Sequence, residues 1–271
     1  MYFTKLHDFE RCMNFDAIIA GGIGNAQFTD VRMSFISIRR SLLLMKLYNF
    51  GWGPYPRRIA IYLAEKEITD IELVELEFPH RPELWPDGFL QKLNPAHSLP
   101  VLDTGRGLLI GQSLAILEYL EELYPAPDLL GSTSEYRAIT REFVSIFDEA
   151  TAFFGLWARQ GSPVNVDRHR QDASAAAFGA ERYASKLRVA DAKQDGPFLC
   201  GSTPTIADCV AAALIEFTSQ FYGVPLPGDC PKLSTWYARM SKRPSMSLPH
   251  YPAQMLEVAR HLQEQTRIFI K

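Results

Sequence analysis

Two short apolar runs, residues 100–103 and 108–110, are separated by only four residues, Thr104-Gly105-Arg106-Gly107. So short a gap cannot carry the chain over a sheet face, and the two glycines suit a tight turn. The runs are therefore predicted to pair as an antiparallel hairpin. An earlier pair of runs, 46–50 and 71–76, has the opposite spacing. Between them Ile59, Tyr62 and Leu63 recur at helical intervals, after a turn Gly51-Trp52-Gly53-Pro54-Tyr55-Pro56 whose prolines suit a first helical turn. That connection is long enough for a crossover and so for a parallel pair. One sheet holding both kinds of pairing, with helices on its faces, limits the fold more than composition does.

The rest of the chain extends this reading. Residues 78–93 are broken by prolines and leave room for one short helix. A helix over 113–124 would place Ile116, Leu117, Leu120, Leu123 and Tyr124 on one buried stripe. The order over 45–125 is then β-α-β-α-β-β-α, the pattern of a thioredoxin-like α/β domain. Pro125-Ala126-Pro127-Asp128 ends the last helix and opens a linker over 126–134. No strand pattern follows. Helices are predicted over 134–160, 167–193, 205–222, 231–242 and 252–267, an all-α domain spanning 135–271. Its apolar stripes include Phe143, Phe147, Ala150, Phe154 and Trp157, then Val210, Leu214, Phe217 and Phe221. Thr205 and Asp208 have the spacing of a structural capping box before the second stripe.

Charge and cysteine usage exclude several function classes. The net charge is −3 and no dense basic stripe occurs, so nucleic acid is not an expected partner. Cys12, Cys200, Cys209 and Cys230 form no C-x-x-C pair and have no histidine-rich partner pattern, so no metal site is expected. Sparse cysteines fit a reducing compartment, and the cytoplasm is the expected location. No apolar run approaches the roughly 18 residues of a membrane span. Residues 1–44 read as an extension, a targeting peptide, or sequence upstream of a true start at Met33 or Met45. The Gly21-Gly22-Ile23-Gly24 cluster lacks the Gly-Lys-Ser/Thr of a phosphate loop.

Two local patterns point to a ligand. In Asn94-Pro95-Ala96-His97-Ser98-Leu99-Pro100-Val101-Leu102 a proline sits at a strand start, where it cannot donate to the ladder. A cis bond there would make a sharp turn and leave Leu99 to present its N–H and C=O to a ligand, as an added strand would. Gln112-Ser113 follows the hairpin at a helix start. Ser113 there is either an ordinary N-cap or part of a carboxylate site built on the unpaired N–H groups and the helix dipole.

The ordered set of strand, proline-rich turn with Arg57-Arg58, Asn94-Pro95, Leu99-Pro100-Val101-Leu102 and Gln112-Ser113-x-Ala115-Ile116-x-x-Tyr119-Leu120 resembles the soluble glutathione transferases over about 45–250. The resemblance implies that Leu99 pairs through its backbone with the cysteinyl part of glutathione, with Pro100 cis. It implies that Gln112 and Ser113 hold the γ-glutamyl carboxylate and that His97 lies near the glycyl end. It also implies a homodimer, with glutathione as co-substrate and no permanently bound cofactor.

The family's thiolate-stabilising Ser, Tyr or Cys has no counterpart in this loop. The usual serine or cysteine position falls near Gly53, and the usual tyrosine position near Gly51 or Trp52. The run Gly53-Pro54-Tyr55-Pro56-x-Arg58 is similar to an atypical fungal group lacking those residues, in which a helix dipole and a water can stabilise the thiolate. Tyr55 is the nearest phenol and the side-chain candidate for catalysis. Arg57 and Arg58 could tune the field there, with one of them solvated. Trp52, Phe153 and Trp157 are candidates for an apolar co-substrate pocket. The expected activity is conjugation of glutathione to a small apolar electrophile. Two alternatives stay open: a glutathione-binding regulatory protein with little catalysis, and a glutathione-dependent peroxidase.

Overall fold

The hairpin and the parallel pair share one four-stranded sheet. The computed structural model describes residues 44–76, 88–162, 165, 170–247 and 257–258. Strand β1 (Lys46–Asn49) pairs in parallel with β2 (Glu72–Glu75) and antiparallel with β3 (Val101–Asp103). The latter pairs antiparallel with β4 (Leu109–Ile110), giving the order β2-β1-β3-β4. Tyr48 lies opposite Val101, and Leu102 opposite Ile110. Strand β1 stops one residue short of the predicted run. The Asn49 side-chain amide and the Gly51 N–H both donate to the Glu75 carboxylate, at 3.3 and 3.1 Å, which turns the chain out of the ladder.

Three helices belong to this layer: α1 (Pro54–Glu65), α2 (Phe89–Leu93) and α3 (Ser113–Leu123). Helix α1 buries Ile59, Tyr62 and Leu63, the face its periodicity predicts, and Ile61 besides. Helix α3 buries Ile116, Leu117 and Leu120, whereas Leu123, the next residue of the predicted stripe, is exposed. The 126–134 passage is not a slack linker. Leu129 and Leu130 are buried, the Leu129 N–H donates to Glu121 at 2.8 Å, and the Leu129 carbonyl accepts from Ile206 N at 2.7 Å.

The remaining described elements are helical: α4 (Ser134–Gly161), α5 (Ala173–Lys193), α6 (Ile206–Glu216), a π-helical turn (Phe217–Phe221), α7 (Pro231–Met240) and a 3-10 turn (Pro244–Met246). The Thr133 hydroxyl caps α4 and the Asp172 carboxylate caps α5. The helix predicted over 252–267 lies outside the described residues apart from 257–258, and residues 1–43 lie outside them as well.

Every residue of α6 is buried, its two carboxylates Asp208 and Glu216 included, as befits a helix that is apolar over most of its circumference. Its predicted continuation to residue 222 changes character at Phe217. The hydroxyls of Thr218 and Ser219 both donate to the Ile215 carbonyl, at 3.2 and 2.6 Å, and compete for the α-helical ladder there. The Tyr222 N–H then reaches back five residues to Phe217.

Helices α4 and α5 cross closely at Gly179. A methyl group added there would lie 2.8 Å from Trp157 N and 2.9 Å from the Phe153 carbonyl, both main-chain atoms that cannot rotate away. Gly179→Ala is accordingly expected to lose about 2–3 kcal/mol of stability despite alanine's better helix propensity. A thermal melt checks this; an unchanged or raised Tm would contradict it.

Candidate functional site

The loop after β1 delivers Gly53 as the N-cap of α1, followed by Pro54, Tyr55 and Pro56. The two prolines remove two of the first-turn N–H groups, and the Arg57 N–H is already given to the Gly53 carbonyl at 2.8 Å. Tyr55 therefore carries the only main-chain N–H of residues 54–56, at the positive end of the helix dipole. Tyr55 as a whole is 39% exposed. Partial burial pushes the phenol's pKa up, opposed by the charge of Arg58, so it stays a protonated donor at neutral pH.

Both arginines of α1 are buried and paired, contrary to the expectation that one is solvated. Arg57 Nε and Nη2 donate to the two Glu216 oxygens at 2.6 and 3.0 Å, and Nη2 also donates to the Ser247 carbonyl at 2.9 Å. Arg58 Nη1 donates to Asp148 at 2.8 Å and to the Ser113 hydroxyl at 3.4 Å, and Nη2 to Thr151 at 3.5 Å. The Arg58 guanidinium also lies 4.9 Å from the centre of the Tyr55 ring. Asp148 on α4 and Glu216 on α6 went unremarked in the sequence, because a carboxylate on a helix is ordinarily solvated.

At the α3 end the N-cap is Gln112, with extended backbone and no side-chain capping bond, and Ser113 is the first helical residue. Ser113 is thus not the cap that the sequence offered as one reading. It is buried, with its hydroxyl toward Arg58. The Leu99–Pro100 peptide is cis and stands immediately before β3. His97 is exposed, with a φ of 52°.

Asn94 ties these two segments together. Its Nδ2 donates to Ser98 O at 2.9 Å, to Ser98 Oγ at 3.1 Å and to Gly111 O at 3.5 Å, while its Oδ1 accepts from Ala96 N. The loop ending at cis Pro100 and the chain entering α3 are held by one buried amide.

The three co-substrate candidates do not converge. Trp52 is buried, stacked on Phe221 with centroids 5.7 Å apart and met edge-on by Phe50 at 5.4 Å. Trp157 joins the same aromatic group through Tyr222 at 5.7 Å. The ring of Phe153 instead meets Phe178 and Arg182 of α5. The reason is its place one residue off the Phe154 stripe, on the side that α5 covers.

Known proteins resemble this chain in sequence and fold. The glutathione S-transferase N-terminal domain family matches residues 52–123, and the corresponding C-terminal domain family matches residues 134–239. The probable glutathione S-transferase parC of Nicotiana tabacum is 31% identical over 232 residues, covering 80% of this chain and 95% of that one. The chain belongs to the glutathione S-transferase family of enzymes. Glutathione S-transferase 2 of Saccharomyces cerevisiae is 28% identical over 213 residues, 74% of this chain and 88% of the relative. A crystal structure of a glutathione S-transferase from Rhodospirillum rubrum F11 superposes with a TM-score of 0.59 at 29% identity, covering 79% of this chain and 99% of that one. The thioredoxin-like layer followed by a helical part is the fold of this family.

In this transferase no described helix is long and apolar enough to cross a membrane. Among the described residues no group of three or more His, Cys, Asp or Glu could hold a metal ion.

Proposed function

We propose that this chain binds glutathione between the N-termini of α1 and α3 and adds its thiolate to a small apolar electrophile. The observation that carries the reading is Arg58. One buried guanidinium meets the Ser113 hydroxyl and the Tyr55 ring, and so couples the two helix starts that an anionic peptide would need. The γ-glutamyl carboxylate is assigned to Gln112 and Ser113, the cysteinyl backbone to Leu99, and the glycyl end to the rim at His97. A homodimer in the cytoplasm is the assembly and place this reading expects.

A free thiol with a pKa near 8.5 is mostly protonated at neutral pH, so the site must favour the anion. Here the donor set is unusual, as in the atypical fungal group whose loop this one resembles. Gly53 has no side chain to give. The Tyr55 N–H and the α1 dipole act as fixed dipoles on the sulfur, and the Tyr55 phenol is a secondary donor. The thiol proton passes to solvent, and the thiolate attacks the electrophilic carbon: a carbon–sulfur bond forms as that carbon's bond to a leaving group breaks and the group departs with the electron pair, or as a conjugated π bond opens and takes a proton from solvent.

The test is glutathione titration by calorimetry, with the pKa of the bound thiol read from thiolate absorbance against pH. A bound-thiol pKa at least about one unit below the free value is expected. Tyr55→Phe should leave that value nearly unchanged, whereas Tyr55→Pro, which deletes the N–H at a position prolines tolerate, should raise it by about one unit. Equal effects of the two variants would transfer the role to the phenol. Tight binding with an unshifted thiol would favour a regulatory protein, a reading the bare Gly53 supports. Consumption of peroxide without conjugation would favour the peroxidase.

A further inference from the structure

A groove of about 560 Å³ lies between α7 and the loop that follows α5. Along α7, Lys232, Thr235 and Arg239 recur at i, i+3 and i+7 and share the face that lines it. Seven residues of helix put the two cations about 10 Å apart along the axis. Lys232 Nζ donates to the Gln194 and Ala192 carbonyls at 2.9 and 3.5 Å, and Arg239 Nη1 to the Pro197 carbonyl at 2.6 Å. Those acceptors are neutral, and neither cation has a carboxylate partner among the described residues. Both charges are thus uncompensated, and each head group keeps further donors. Arg188 and Lys193 of α5 are by contrast matched, to Asp229 and Glu142. The loop facing α7 supplies the opposite chemistry. Asp195 is exposed on the groove, with no ion pair among the described residues. Gln194 beside it is 5% exposed, and its Nε2 donates to the Gly196 carbonyl at 3.1 Å. That bond fixes the amide, since the reverse orientation would set two oxygens face to face. Gln194 Oε1 is left as a buried acceptor with no donor among the described residues. An orphan acceptor next to a free carboxylate calls for a ligand group that donates N–H bonds and carries positive charge.

We infer that this groove is a second binding site, apart from the helix starts of α1 and α3, for a small molecule with two carboxylates and one ammonium. The carboxylates meet Lys232 and Arg239, and the ammonium meets Asp195 with Gln194 Oε1 beneath it. Two cations and one anion in the groove are the complement of that charge set. Two sources share it at neutral pH: an acidic α-amino acid such as L-glutamate, and glutathione itself. The inference stands without the conjugation reading, in which no residue of the groove takes part.

Calorimetric titrations at low ionic strength test it with three probes: L-glutamate, glutathione, and glutarate, which has both carboxylates and no ammonium. L-Glutamate should saturate a site that Thr235→Tyr abolishes. That substitution fills the groove, removes no charge, and should leave the Tm within about 2 °C. Lys232→Ala and Arg239→Ala should each weaken the binding about fivefold. Asp195→Asn should weaken L-glutamate and tighten glutarate, each about threefold, because one ligand loses an attraction and the other a repulsion. If the tripeptide is the occupant, glutathione loses one of two sites in Thr235→Tyr while L-glutamate shows no such loss. Either pattern supports the site and names its source. Absence of binding by L-glutamate and glutathione alike would overturn the inference, as would binding of both that Thr235→Tyr leaves unchanged. Responses of L-glutamate and glutarate to Asp195→Asn in the same direction would overturn the ammonium assignment.

Discussion

Arg57→Ala is expected to lose about 3–5 kcal/mol of stability, because it leaves Glu216 buried without its cation. In a protein of this size that corresponds to a fall in Tm of roughly 8–15 °C. The lost bonds are the two to Glu216 and the one to the Ser247 carbonyl. The variant should also carry a pH signature. Burial already pushes the Glu216 carboxyl up, and Arg57 is what pulls it back. Without Arg57 the carboxyl stays protonated in the folded state to higher pH than in the unfolded chain. Such a group stabilises fully below the unfolded pKa, and the contribution is lost as pH rises through the folded pKa. The deficit relative to the unaltered protein should therefore shrink at pH 5 and grow toward pH 8. Melts at both pH values check the sign, and a deficit that is larger at pH 5 would rule out the account. Glutathione affinity should fall in parallel, since α1 presents its N-terminus from a position that Arg57 fixes against α6.

The strands and most helices were legible because their signals are local. Four residues between two apolar runs admit only a hairpin, and the Phe143–Phe154 spacing admits only a helix face. The cis turn at Leu99-Pro100 and the helix start at Gln112-Ser113, the two segments proposed to face glutathione, were legible for the same reason: both are short patterns whose backbone chemistry is written in adjacent residues. What the sequence hid are the long-range pairs. Arg57 finds Glu216, and Arg58 finds Asp148, across separations that no periodicity encodes. Glu65 likewise meets Arg243, with both guanidinium bonds at 2.7 Å. Burial would raise the Glu65 carboxyl, but the bonds from Arg243 and Ser245 outweigh it and hold its pKa below the usual range. All three pairs stitch α1 to the helices and turns behind it. The crowding at Gly53 was hidden as well: a glycine three residues after a phenylalanine is an ordinary turn until the Phe50 ring edge is seen to lie 2.4 Å from where its Cβ would be.

Asp208→Ala is expected to be as damaging as Arg57→Ala, by a different route. Asp208 is fully buried in the first turn of α6 and has no cation partner among the described ion pairs. Its charge is held by N–H and O–H donors instead. Oδ1 accepts from Leu199 N at 3.0 Å and from Trp236 Nε1 at 2.7 Å, and Oδ2 accepts from Thr205 N at 2.8 Å and Thr205 Oγ1 at 3.0 Å. One side chain thus caps α6, holds the turn at Leu199 and anchors α7 through Trp236. Alanine would strand three buried N–H groups, a loss of about 3–5 kcal/mol. The conservative substitution separates this network from a simple cap. The N3 position of a capping box is served by a neutral amide as well as by a carboxylate. Here asparagine has only one oxygen, so its NH2 group must face N–H donors on one side. Asp208→Asn should therefore recover less than half of the loss, and Trp236 fluorescence should report the freed indole in Asp208→Ala. If Asp208→Asn melts with the unaltered protein, Asp208 is the N3 member of the capping box alone, and the packing of α7 on α6 has another source.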